Sequence, residues 1–214
     1  IRGLIFAVVL SGILYFVNAF LLPADSFRTS KWPSTGTFTQ FYKMRRNSID
    51  VLFLGSSVAV NNFIPQQIYN DHGICCYNLS SEQQSVLLSY YWLKEALRFQ
   101  KPKVVVLEAL FLQNLHEDEA INTTEGLTRK TMDRMRLSPV KMQAVADICR
   151  RDETQDPLSY YFTNLRFHTR WKSLEKEDFI PASSLTPRLF GWAPGLEQTD
   201  SMEPFAESDA DTSY

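Results

Sequence analysis

The feature that most constrains the fold is residues 49–58, where a short continuous apolar run ends abruptly in Gly55, Ser56 and Ser57. Such a run is typical of a strand buried on both faces of a parallel sheet. In open α/β sheets, ligands bind just beyond the carboxyl ends of the strands. The serines therefore have two interpretations: one presents its hydroxyl to a substrate, or one only caps the helix that follows.

The same pattern recurs twice further along the chain. Apolar runs at residues 74–79 and 104–107 predict two more strands, and a helical pattern at residues 82–99 follows Ser80 and Ser81. Strands that alternate with helices indicate parallel βαβ units. The predicted fold class is therefore α/β with a parallel sheet. Further short helices are predicted at residues 37–46, 65–70 and 140–150.

The first 22 residues predict a membrane anchor. They contain one charged residue, Arg2, and about 20 apolar residues are enough to cross a bilayer as a helix. The alternative is a cleaved signal peptide, because residues 17–19 have the small-residue spacing of a cleavage site. Both interpretations predict an exported protein, and the anchor predicts a single-pass protein of the cell membrane with its α/β domain on the extracellular side.

Composition divides the remaining chain into three predicted segments. Residues 23–47 are a linker with a short helix, residues 48–190 form the α/β domain, and residues 191–214 are an acidic tail predicted to be disordered. The net charge of −2 gives no indication of a nucleic-acid partner.

The three cysteines, Cys75, Cys76 and Cys149, are not spaced as zinc ligands and are interpreted as buried thiols rather than redox groups. No metal or cofactor is predicted.

The order of the strand ends resembles that of the SGNH, or GDSL, hydrolase superfamily, a group of esterases, lipases and carbohydrate O-deacetylases with a three-layer, flavodoxin-like α/β/α fold. Residues 55–58 fall on the Gly-Asp-Ser-Leu block of that family, so the resemblance implies that Ser57 is the nucleophile and that Ser56 stands where the aspartate usually is. The second block falls on residues 78–81. It implies that the N–H groups of Ser57 and Ser80 form the oxyanion hole, and Ser56 and Asn78 are candidates for lining the pocket.

Two later blocks of the family are not matched. The third strand is followed by residues 109–112 without an asparagine in register, and no histidine in the chain has an aspartate three residues before it. We expect that the chain stops before the Asp-x-x-His block, so the domain is predicted to be incomplete at its C-terminus. Glu108, at the end of the third strand, has two interpretations: it lines the pocket or pairs with a basic residue.

The nearest resemblance is to membrane-anchored proteins of Gram-positive bacteria that are distantly similar to teichoic acid D-alanine transfer proteins. It rests on the anchor, the Gly-Ser-Ser strand end, the second block and the later segment of residues 167–171. His168 and Arg170 in that segment could line a site for a sugar or phosphate polymer. Alternatively, Trp171 packs against the sheet and Arg170 pairs with a carboxylate.

The resemblance implies a serine esterase or O-acyltransferase that acts on an acylated polysaccharide or a teichoic-acid-like envelope polymer. The alternative is a non-catalytic envelope protein that keeps the fold for binding or assembly. A basic cluster at residues 129–136 is interpreted as a solvated face rather than a site for an anionic polymer.

Overall fold

The structure, a computed structural model, describes residues 2–21, 35–109, 124–174, 179, 190 and 191. The described part is mixed α/β, with helices surrounding a small parallel sheet. In chain order the elements are α1 (Arg2–Leu21), α2 (Thr35–Phe41), β1 (Val51–Leu54), α3 (Ser57–Asn62), α4 (Pro65–His72), β2 (Cys76–Asn78), α5 (Val86–Ala96), β3 (Val104–Leu107), α6 (Glu125–Met132), α7 (Pro139–Arg151), α8 (Pro157–Tyr161), α9 (Asn164–Phe167) and a 3₁₀ helix (His168–Ser173).

The sheet has the order β2-β1-β3, with both pairs parallel, so β1 is the central strand. The predicted parallel arrangement is therefore confirmed for these three strands. Leu52, Phe53 and Leu54 are buried, as a strand covered on both faces requires. β3 differs from the prediction, because Val104 and Leu107 are 50% and 42% exposed. An apolar run predicts burial on both faces, whereas β3 is at one edge of this sheet.

The helix after the second strand begins later than predicted. The pattern placed its start after Ser80 and Ser81, but α5 begins at Val86 with Ser85 as its N-cap, whose hydroxyl accepts a hydrogen bond from Leu88 N at 3.3 Å. Gln83 has a φ of 51°, in the left-handed region, so the chain turns once before the helix begins. The serines therefore stay close to the sheet edge.

The aromatic core attaches α2 to the sheet and to α5. Phe38 and Phe41 are buried; the Phe38 ring lies 4.6 Å from the Trp92 ring and the Phe41 ring 5.7 Å from that of Tyr77, measured between centroids. The Tyr77 hydroxyl donates a 2.7 Å hydrogen bond to the Thr37 carbonyl. The sequence assigns residues 23–47 to a linker and a short helix, and that helix, α2, packs as part of the core.

α1 carries many exposed apolar side chains. The anchor predicted at residues 1–22 falls on this helix; within the ranges that the structure describes, no helix is both long enough and apolar enough to cross a membrane. Apart from Gly191, the predicted acidic tail lies outside the described residues.

Gly55 is required by close packing at the end of β1. A Cβ atom at this position would lie 2.6 Å from Glu108 Cβ and 3.0 Å from Ala59 Cβ. We therefore expect Gly55→Ala to lower the free energy of unfolding by about 1–3 kcal/mol, the usual cost of overpacking. Urea denaturation followed by circular dichroism measures this change.

Gly126→Ala is the matched control for this substitution. Gly126 lies in helix α6, and a Cβ atom added there would have only Thr124 Oγ1 as a close neighbour, at 3.9 Å. Alanine should leave the stability unchanged or raise it by about 0.5–1 kcal/mol, because glycine is unfavourable inside a helix. Equal effects of the two substitutions would contradict the packing argument.

Candidate functional site

The turn after β1 separates the roles of the two serines. Ser56 is the N-cap of α3, and its Oγ accepts a hydrogen bond from Val58 N at 3.3 Å. The same Oγ donates to Glu108 Oε2 at 2.6 Å, and the Ser56 backbone N–H donates to that oxygen at 3.0 Å. Ser56 is 8% exposed. The capping interpretation of the sequence therefore describes Ser56.

Ser57 is the first residue of α3 and is partly exposed. In the described part of the chain, its hydroxyl has no recorded hydrogen-bond partner, unlike the hydroxyl of Ser56. Its side chain is thus available for a ligand at the carboxyl end of the central strand, where ligands of parallel α/β sheets bind.

The segment after β2 runs alongside the end of β1. Leu79 N donates to Phe53 O at 2.8 Å, and Ser81 N donates to Gly55 O at 3.3 Å. Ser80 lies between these two bonded residues, is fully buried, and has a hydroxyl without a partner among the described residues. A buried polar group without a partner is costly, so it indicates a place where a ligand or water could bind.

Asn78 holds helix α3 against β2. Its side-chain nitrogen donates to Ala59 O at 2.7 Å and to Phe63 O at 3.2 Å, and the whole residue is buried. The backbone carbonyl of Asn78 accepts a 2.7 Å hydrogen bond from Thr37 Oγ1. The recorded contacts of Asn78 are therefore structural, and its role as a pocket-lining residue stays a prediction.

His168 and Arg170 lie in the 3₁₀ helix, against α1. His168 Nδ1 is 2.8 Å from Leu165 O, and an Arg170 guanidinium nitrogen donates to Leu21 O at 3.2 Å. Trp171 is 64% exposed, so it does not pack against the sheet as one interpretation of the sequence held. A cavity of about 640 Å³ opens here, lined by Phe16, Val17, Leu21, Asn164, His168 and Trp171.

The described histidines form no recorded hydrogen bond with Ser57. His72 is exposed in the last turn of α4, and His168 lies in the helix that contacts α1. His116 lies outside the described residues. A base for Ser57 is therefore not identified among the residues that the structure places.

In the described part of the chain, the thiols and the acidic groups do not assemble into a metal site. Among the placed residues, no group of three or more histidine, cysteine or acidic side chains is close enough to hold a metal ion. Cys75, Cys76 and Cys149 are free, and burial is the main reason that their thiol pKa values are raised.

The basic cluster of the sequence is only partly solvated. Arg129 and Lys130 are 3% and 7% exposed, so the interpretation of residues 129–136 as a solvated face is wrong for these two. Lys130 Nζ donates a hydrogen bond to the carboxylate of Glu82, the residue after Ser81. Burial lowers the pKa of Lys130, and the charge of Glu82 opposes this shift. The sequence carries no strong signal that Arg129 and Lys130 are buried, because their acidic partners are distant in the chain or one helical turn away.

Comparison with known proteins adds no relative, because no family model, no curated protein and no solved structure matches the chain.

Removal of the Arg129 side chain should leave a buried carboxylate without its partner. Arg129 Nη1 lies 3.0 Å from Asp133 Oδ1, and the guanidinium of Arg129 lies 3.7 Å from the Tyr160 ring centroid. We expect Arg129→Ala to lower the free energy of unfolding by about 3–5 kcal/mol, as is usual when one partner of a buried ion pair is removed. Chemical denaturation measures the loss.

Arg150→Ala is the control for this prediction, because the Arg150 side chain is 71% exposed in its ion pair with Asp147. Exposed pairs contribute about 0–1 kcal/mol, so this variant should remain close to the parent protein. A loss at Arg129 no larger than that at Arg150 would show that burial does not decide the contribution.

Proposed function

We propose that this protein is a serine esterase or O-acyltransferase of the SGNH type, with Ser57 as its nucleophile. One observation carries the proposal. At the carboxyl end of the central strand, Ser56 is bonded to Glu108 and to Val58, whereas the neighbouring Ser57 hydroxyl has no recorded partner in the described chain. A serine held at a fixed place with an available hydroxyl suits nucleophilic attack.

The sheet supports the same proposal. Ser56 and Ser57 lie just beyond β1, Ser80 lies just beyond β2 and Glu108 follows β3, and the parallel order β2-β1-β3 brings these three strand ends to the same end of the sheet. The three-layer arrangement and membership of the SGNH superfamily are parts of the proposal. The acylated envelope polymer as substrate, the association with the membrane and the extracellular location rest on the sequence resemblance and stay predictions.

In the proposed reaction, Ser57 Oγ attacks the carbonyl carbon of an ester while a base takes the hydroxyl proton. The N–H groups of Ser57 and Ser80 stabilise the negative charge on the tetrahedral intermediate. Collapse of the intermediate releases the alcohol, which receives the proton, and leaves an acyl group on Ser57. Attack by water then gives the free acid, and attack by a sugar or polyol hydroxyl gives a transferred ester.

A second candidate function is a binding or assembly module without catalysis. The observation that favours it is the missing base: neither His72 nor His168 hydrogen bonds to Ser57 in the placed part of the chain. Without proton removal, a serine hydroxyl is a weak nucleophile. The strand-end site would then bind the polymer rather than cleave its esters.

Reaction with an alkyl fluorophosphonate, followed by peptide mass spectrometry of the full-length protein, tests the proposal. We expect a phosphonylated peptide that contains Ser57. Ser57→Ala should abolish this adduct and lower the release of acetate or D-alanine from the acylated polymer by a factor of about 1,000 or more.

Ser173→Ala serves as the control, because Ser173 is an exposed serine of the 3₁₀ helix. It should leave both labelling and release unchanged. Polymer binding without labelling or release by the parent protein would contradict the esterase proposal and support the binding module.

A further inference from the structure

The carboxylate of Glu108 accepts two hydrogen bonds from one residue of the turn. Glu108 Oε2 lies 2.6 Å from Ser56 Oγ and 3.0 Å from Ser56 N, and Glu108 is 8% exposed. Hydrogen bonds to a charged acceptor are stronger than neutral ones, and burial reduces the competition from water. The carboxylate therefore restrains both the backbone and the side chain of Ser56.

The backbone fixes the position of this carboxylate. Glu108 N donates to Leu54 O at 2.8 Å, so the pairing of β1 with β3 extends to the residue that carries the carboxylate. Gly55 makes the close approach possible, because a Cβ atom there would lie 2.6 Å from Glu108 Cβ and 3.1 Å from Glu108 Oε2. The Ser56–Glu108 pair thus joins two adjacent strand ends where Ser57 begins its helix.

Of the two adjacent serines, Ser56 is not the one that is placed to act as a nucleophile. Its hydroxyl donates to Glu108 and accepts from Val58 N at the same time, and the residue is almost entirely buried. The hydroxyl is therefore used on both its donor and acceptor sides. Ser57, which is partly exposed, lies next to it in the chain.

We infer that Glu108 is a positioning residue, which acts through Ser56 to hold the Gly55–Ser57 turn and thereby to direct Ser57 Oγ toward the substrate carbonyl. The inference rests on the proposed function, because it assigns Glu108 a part in the reaction of Ser57. A displacement of about 1 Å in a reacting group can lower a rate by roughly 100-fold, so restraint of this turn has a measurable consequence.

The first test measures the rate at which fluorophosphonate labels Ser57 in full-length variants. Glu108→Leu keeps the side-chain size and removes the acceptor, and it should slow labelling by about 10- to 100-fold. Ser56→Ala should slow it less, because the backbone N–H bond to Glu108 remains. The conservative variants Glu108→Gln and Ser56→Thr keep an acceptor and a donor, and they should restore most of the rate.

Asp50→Asn is the matched control. Asp50 also joins β1 to the beginning of β3, through a 2.8 Å ion pair with Lys103, but at the amino ends of the strands. Hydrogen bonding by the Lys103 ammonium is the largest cause of the lowered pKa of Asp50. This variant should label at the parental rate. Circular dichroism spectra identify the folded variants, and labelling rates are compared only among these.

Hydrogen exchange of the peptide that covers residues 55–62 gives a readout independent of the reaction. Glu108→Leu and Ser56→Ala should speed its exchange, while Asp50→Asn should not. Parental labelling rates in both Glu108→Leu and Ser56→Ala would overturn the inference. If the parent protein itself is not labelled, the proposed reaction fails, and the role of Glu108 in that reaction fails with it. Faster exchange then supports only the restraint of the turn by Glu108, and unchanged exchange overturns that restraint as well.

Discussion

The described structure depends on the double pairing of β1. Residues Val51–Leu54 pair with β2 on one side and with β3 on the other, both in parallel. A strand paired on both sides has its backbone groups satisfied and its apolar side chains free to face helices. The pairing brings the ends of the three strands to one edge, so it also brings together the residues on which the proposed chemistry depends.

The second constraint is the aromatic packing of α2. Without Phe38 and Phe41, the Trp92 ring and the Tyr77 ring would each lose an aromatic neighbour in the core. Burial of large aromatic side chains contributes substantially to stability, since each removes much apolar surface from water. The short helix before β1 is therefore part of the folded unit, although its surrounding composition is typical of a linker.

The site combines elements with different functions in the fold. Ser56 and the side-chain nitrogen of Asn78 are occupied by structural hydrogen bonds, whereas the hydroxyls of Ser57 and Ser80 and the side-chain oxygen of Asn78 have no recorded partner within the described part of the chain. This contrast distinguishes the polar groups that are available for a ligand from those that hold the fold together. The resemblance added His168 and Arg170 to the site, but Arg170 donates to Leu21 O at the end of α1, and His168 lines the cavity beside that helix.

Local pattern alone determined the three strands, the start of α7 at Ser138 and Pro139, and the end of α4 before Gly73, because burial periodicity, capping and the left-handed φ of glycine act over a few residues. Only the tertiary structure decided that Ser56 rather than Ser57 is bonded to Glu108, that Arg129 is buried, and that β3 is exposed at the sheet edge. These outcomes depend on contacts between residues distant in sequence, or on which strand lies at the edge. The residue types alone carry no record of such pairings, so only the packed chain reveals them.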